Sequence, residues 1–80
     1  MSNAKKIDVI LTDAVVEPFV EMLAGAPVVA WSVATGLCGA AVAVICRSED
    51  AGAAIAGIEA FVARYGGVAT EVDAEGLNLG

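Results

Sequence analysis

The side chains that could carry chemistry are two cysteines and ten carboxylates, and the chain has no histidine. Cys38 and Cys46 stand alone, without the second pair of ligands that a zinc ribbon or finger needs. Neither cysteine has a histidine to activate it as a nucleophile. Both lie in apolar runs, so we interpret them as small, reduced hydrophobes of a cytoplasmic protein. The sequence therefore predicts no metal site and no cofactor.

The carboxylates fall into two groups along the chain. The first comprises Asp8, Asp13, Glu17 and Glu21, and the second Glu71, Asp73 and Glu75. Paired carboxylates can perform acid–base catalysis or bind a divalent cation. At these spacings, however, they are more typical of solvated strand and helix surfaces. We therefore predict a protein without enzymatic activity.

A loop of small residues separates two apolar runs, Val28–Ala34 and Ala40–Cys46, at the centre of the chain. The loop consists of Thr35, Gly36, Leu37, Cys38 and Gly39. Its glycines suit a five-residue hairpin that needs positive φ. Alternatively, its small residues could expose the backbone to a small anion or line a pore. No lysine follows in the P-loop pattern, which argues against that nucleotide site.

The composition indicates that part of the surface is covered by other molecules. Hydrophobic residues make up 59% of the 80 residues, against about 45–50% in an ordinary soluble domain. A domain of this size has little interior in which to bury the excess. We therefore predict a homo-oligomer or a complex. Trp31 and Val33, in the first apolar run, are the candidate interface residues because tryptophan is enriched at interfaces.

The charge argues against two other classes of partner. The net charge is −6 with four basic residues, which leaves no basic footprint for nucleic acid or for an anionic membrane surface. The 25 residues from Met22 to Cys46 carry no charge and are long enough to span a bilayer. Pro27 and the central glycines interrupt this stretch, so two buried strands in a hairpin are the better interpretation. No signal peptide is recognisable at the start, and we expect a cytoplasmic location.

Hydrophobic spacing predicts six elements. Alternating apolar residues predict strands over 5–11 and 68–73, and the two apolar runs predict strands over 28–34 and 40–46. Helical spacing predicts helices over 14–24 and 48–65. The second helix begins at Ser48, a residue type that caps helices. Its predicted buried stripe is Ala51, Ile55, Ile58, Val62 and Tyr65.

The order β-α-β-β-α-β predicts an α+β fold of the ferredoxin-like type. In this plait a four-stranded antiparallel sheet carries both helices on one face. We interpret residues 5–80 as a single ferredoxin-like domain. Residues 1–4 resemble the remnant of an expression tag and are interpreted as a tag-like or disordered N-terminus. The bare sheet face accounts for the apolar excess.

Residues 7–73 resemble the bacterial microcompartment shell proteins. The likeness lies in VILT before the first helix, in GAAVAVICRSEDAGAAIAGIEA and in RYGGVATEV. This resemblance implies a plait that assembles into hexameric tiles, with a small loop before the third strand lining a central pore. The pore residues would be Thr35, Gly36, Leu37, Cys38 and Gly39.

Two alternatives stay open. ATGLCGAAVAVI and GGVATEVDAEGL are similar to the final segment of the galactokinase–mevalonate kinase superfamily, which would make this chain a fragment or relic of an enzyme. The other alternative is a regulatory plait of the ACT or PII-like kind, which binds a small-molecule effector at a subunit interface. A non-enzymatic, self-assembling domain is the leading interpretation.

Overall fold

The computed structural model describes residues 3–37 and 39–78, which form four strands and two helices. In chain order these are β1 (Asn3–Leu11), α1 (Val16–Ala24), β2 (Ala30–Gly36), β3 (Gly39–Arg47), α2 (Ala51–Tyr65) and β4 (Val68–Asn78). A single 3₁₀ turn precedes each helix, at Asp13–Val15 and Ser48–Asp50. The predicted order of elements is therefore confirmed.

The strands form one sheet in the order β2-β3-β1-β4, and every neighbouring pair is antiparallel. Because β1 and β2 are both antiparallel to β3, they run in the same direction, and α1 connects them. By the same reasoning β3 and β4 are parallel to each other, and α2 connects them. The prediction of an α+β protein with a four-stranded antiparallel sheet is confirmed.

Both helices pack on the same face of the sheet. The core contains alternate residues of the two central strands, together with residues from both helices. It comprises Ile7, Val9, Leu11, Val42, Val44 and Cys46 from the sheet and Phe19, Leu23, Ala51, Ala54, Ile58 and Phe61 from the helices. Each large apolar side chain in this layer contributes roughly 1.5–3 kcal/mol through its burial.

The helix ends follow from local sequence. Pro18 is the third residue of α1, where its missing N–H lacks an intrahelical partner in any case. Gly25 follows the last helical residue, and its N–H is bonded to the carbonyl groups of Met22 and Leu23. Ser48 lies in the 3₁₀ turn, and regular α-helix begins at Ala51.

The prediction for the aromatic residues of α2 was wrong. Tyr65 is 46% exposed, whereas Phe61, outside the predicted stripe, is 8% exposed. The Phe61 ring meets the Phe19 ring of α1 with 5.0 Å between centroids. Because α2 packs against α1 as well as against the sheet, its buried stripe is rotated towards α1. The stripe consists of Ala51, Ala54, Ile58 and Phe61.

The N-terminal end of β1 and the C-terminal end of β4 extend beyond the strands predicted for them. β1 begins at Asn3, and Ala4 is buried, so these residues belong to the sheet rather than to a disordered N-terminus. β4 continues to Asn78, five residues beyond the strand predicted over 68–73. Asn3 stands opposite Asn78, after a break in register that follows the pair of Lys5 and Asp73. The start of β1 and the end of β4 thus pair with each other, and this pairing keeps both segments in the sheet.

Residues 22–46, the uncharged stretch, contribute the end of α1 and most of the β2–β3 hairpin. Within the described ranges, neither helix has the length and apolar character needed to cross a bilayer.

Candidate functional site

The sheet face opposite the helices, which we call the open face, carries the side chains that alternate with the core residues. Its members are Ala4, Lys6, Asp8 and Ile10 of β1, Ala30, Ser32 and Ala34 of β2, Ala41, Ala43, Ile45 and Arg47 of β3, and Val68, Thr70 and Val72 of β4. In the described part of the chain no element packs on this face, and Ile10 is 50% and Val68 60% exposed. The open face is therefore apolar and accessible.

Two adjoining depressions lie on the open face near the β2–β3 hairpin, with volumes of about 360 and 340 Å³. Ile10, Ala34 and Ala41 line both of them. The larger one is bordered by Thr35, Gly36, Leu37, Gly39 and Ala40, and the smaller by Asp8, Ser32, Val42 and Ala43. Because the floor is largely alanine, the two depressions form a shallow apolar trough.

The hairpin places four of the five predicted loop residues around the larger depression. Gly36 stands opposite Gly39, so the connection contains two residues rather than the predicted five. Leu37 is fully exposed at its tip, and Cys38 lies outside the described residues.

A positive φ was predicted for a loop glycine and is found at Gly39, where φ is 121°. A Cβ at Gly39 would lie 2.5 Å from the carbonyl oxygen of Leu11 in β1. Only glycine fits this close approach between backbones. Glycine at position 39 thus allows the backbone of β3 to approach the end of β1 closely.

Among the described residues, the charges on the open face are those of Lys6, Asp8 and Arg47. Lys6 Nζ lies 3.5 Å from an Asp8 carboxylate oxygen, and both side chains are partly exposed. Among the described residues that line the two depressions, Asp8 is the charged one, and the hydroxyl groups of Ser32 and Thr35 are the other polar side chains.

The carboxylates whose side chains are described do not converge on one site. Asp8 is on the open face, whereas Glu17 and Glu21 are exposed on α1, on the other side of the sheet. Glu71 forms an ion pair with Lys5, with 3.0 Å between Glu71 Oε1 and Lys5 Nζ. The side chains of Asp73 and Glu75 lie outside the described set. Within that set, no group of three potential metal ligands comes together.

Cys46 is buried under the helices, and its Sγ donates to the carbonyl oxygen of Lys5 at 3.7 Å. Burial raises the pKa of the thiol, and the carboxylates of Asp50 and Glu71 raise it further, against a smaller opposite effect of Lys5. A neutral, buried thiol is a poor nucleophile and a poor metal ligand. This position agrees with the interpretation of Cys46 as a small hydrophobe.

Trp31 and Val33, the predicted interface residues, lie on the edge strand β2. They stand opposite Val44 and Val42, which are core residues, so their side chains are on the helix side of the sheet. Val33 is partly buried against the core, and Trp31 is 44% exposed. These two residues therefore belong to the edge of the sheet and not to the open face.

Sequence reasoning did not select the floor of the trough, Ile10, Ala34 and Ala41. A signal was present for Ile10, because the alternation in 5–11 assigns it to the face opposite Ile7 and Val9. For the alanines there was none, because small apolar residues occur on both faces of β2 and β3.

The geometry of the open face suits contact with another apolar surface. Its centre is a shallow apolar trough lined by small residues, with the Lys6–Asp8 ion pair beside it. Comparisons of the chain with family models, with curated proteins and with solved structures give no match.

Proposed function

We propose that the chain is a ferredoxin-like plait that acts without catalysis, as a self-associating structural domain. The observation that carries this proposal is the apolar open face. A sheet with one layer of helices leaves its second face to be covered by something else. Exposed, contiguous apolar surface of this kind marks sites of protein association.

A second copy of the chain is a suitable occupant of the open face. Lys6 and Asp8 carry opposite charges side by side on this face. A copy related by a twofold axis can present its Asp8 to Lys6 and its Lys6 to Asp8, so the interface is complementary to itself. A standard interface of about 800 Å² per partner corresponds to about one sixth of the 4740 Å² accessible surface.

An assembly resembling a microcompartment shell is the specific form that we favour. The β-α-β-β-α-β order supports it, as does a short hairpin of small residues before β3. In such a ring Thr35, Gly36, Leu37 and Gly39 would surround an opening. The buried free thiol of Cys46 is compatible with a cytoplasmic setting.

A regulatory, effector-binding domain is the second candidate. The depression of about 360 Å³ at the hairpin favours it, since ligand sites commonly start at about 300 Å³. The lining of this depression suits a small, largely apolar effector that is enclosed only when a second subunit covers it.

Light scattering on a sizing column, at two protein concentrations, tests the proposal. A ring-sized particle or a growing sheet supports the shell-like assembly. A dimer supports self-association through a single twofold contact and favours the effector-binding domain over the shell-like assembly. A monomer at both concentrations contradicts both.

Ala41→Lys tests whether self-association occurs through the open face, because it places a charge at the centre of that face. Ala60→Lys is the matched control, since it makes the same change at an exposed position of α2. We expect Ala41→Lys to reduce the mass of the assembly and Ala60→Lys to leave it unchanged. Equal masses for both variants would exclude the open face as the surface through which copies associate.

A further inference from the structure

The two edges of the sheet differ in how they are protected against further strand pairing. Natural edge strands carry charges, prolines or bulges that prevent a further strand from adding. β4 has Glu71, Asp73 and Glu75 in its sequence, and its pairing with β1 is irregular. Across Ala30–Gly36, β2 has no charge and no proline, and its register with β3 is unbroken. β2 is therefore the unprotected edge.

The seven residues of β2 are also complementary to themselves. An antiparallel twofold pairing centred on Val33, the middle residue, places Trp31 opposite Thr35 of the second copy. Ser32 then stands opposite Ala34, and Ala30 opposite Gly36. Trp31 with Thr35 is a pair of an aromatic and a β-branched residue, which stabilises neighbouring strands. Val33 meets Val33 of the second copy, and the other pairs join small residues.

The net charge of the chain and the exposure of Trp31 also favour a second copy of the chain as the partner of β2. Each copy has a net charge of −6, so two copies repel each other least where the contact surface carries no charge. Trp31 is 44% exposed at the rim of the helix side, and this pairing covers it with Thr35 of the second copy. The unpaired backbone groups of β2 gain hydrogen-bond partners at the same time.

We propose that β2 pairs with β2 of a second copy in this register, which joins two four-stranded sheets into one continuous sheet of eight strands. This inference rests on the proposed self-association and adds to the open-face contact a second contact, through the β2 edge in a stated register. The two open faces become one continuous surface, and each copy retains its open face for a further contact.

Disulfide trapping tests the register. In a Cys38→Ala background, Ser32→Cys and Ala34→Cys each place one thiol at an exposed position on the open face of β2. Residues directly opposite each other lie about 4.5–5.5 Å apart between Cα atoms, within disulfide range. Two copies of the same variant bring the thiols only into diagonal positions, about 7–8 Å apart.

We expect an oxidised mixture of the two variants to form a linked dimer of twice the 8.0 kDa chain mass, and each variant alone to stay unlinked. A mixture of Ser32→Cys with Ala60→Cys, at an exposed position of α2 on the other side of the sheet, is the control and should also stay unlinked. Equal linking by each variant alone would overturn the register.

A second measurement separates this inference from the proposed function. Thr35→Glu places a carboxylate against Trp31 of the second copy and should halve the mass of the assembly, while Ala60→Glu, at an exposed position of α2, should leave it unchanged. If neither linking nor a mass change is seen and the parent chain is still oligomeric, β2 pairing is wrong and self-association stands. A monomeric parent chain overturns both.

Discussion

The rings of Phe19 and Phe61 meet edge to face between the two helices, with their planes inclined by 67°. Aromatic pairs in this geometry gain about 0.5–1.5 kcal/mol beyond the burial of their area. The Tyr65 ring lies next in the row, 4.5 Å from the Phe61 centroid, but is largely exposed. Phe61 therefore joins α2 to α1 as well as to the core.

We expect Phe61→Ala to lower the free energy of unfolding by about 3 kcal/mol or more, because it leaves a cavity beside Phe19. Tyr65→Ala, the matched control on the same helix, should cost about 1 kcal/mol or less. Urea unfolding followed by circular dichroism measures both. Phe61→Leu covers the case in which the alanine variant does not fold, with an expected loss below about 1.5 kcal/mol. A larger loss from Tyr65→Ala than from Phe61→Ala would contradict the packing described for α2.

Gly39→Ala should destabilise the chain by more than about 2 kcal/mol. The new methyl group would meet the backbone of Leu11 at 2.5 Å and force an alanine to a φ of 121°. Gly36, directly opposite in the hairpin, has its nearest such neighbour at 4.0 Å. Gly36→Ala should therefore change the free energy of unfolding by less than about 0.5 kcal/mol. Comparable denaturation midpoints for the two variants would mean that the hairpin does not approach β1 as described.

The buried thiol of Cys46 predicts a loss of stability at alkaline pH. Its pKa is raised in the folded state, whereas in the unfolded chain it takes its ordinary value of about 8.5. Below that value both states keep the proton, and Cys46 adds no pH dependence. Above it the unfolded state releases the proton first, so the free energy of unfolding falls by up to about 1.4 kcal/mol per pH unit.

Unfolding of Cys38→Ala between pH 7 and 10 measures this loss, with Cys38→Ala/Cys46→Ala as the control. The stability of the control should fall less over the alkaline part of the range. Parallel curves for the two proteins would show that ionisation of Cys46 is not coupled to folding.

The order of elements could be predicted because its signals are local. Alternation marks β1 and β4, and helical spacing marks α1 and α2 within a few residues of their observed bounds. The errors occur where contacts between residues far apart in the sequence determine the structure. Phe61 is buried because Phe19 lies opposite it, and β4 reaches Asn78 because Asn3 is there to pair with it. Neither contact leaves a pattern within a short window of sequence.

The candidate site could be predicted in part for a similar reason. Glycines mark the hairpin, and the alternation in β1 assigns Ile10 to the open face. In β2, however, apolar and small residues occupy both faces, so the pattern does not decide the side on which Trp31 lies. The pairing of Trp31 with Val44 decides it, and this pairing depends on the two-residue connection of the hairpin.

The position of β1 in the sheet has a consequence for how the protein is made. β1 is the first of the four strands to be synthesised, but one of its two neighbours, β4, is the last. During translation, the β1 edge that later receives β4 stays without a partner until residues 68–78 have left the ribosome. Unpaired edges beside apolar residues promote aggregation of nascent chains. Synthesis that stalls before Val68 therefore leaves a chain with two open edges, β1 and β2, on which other chains can add.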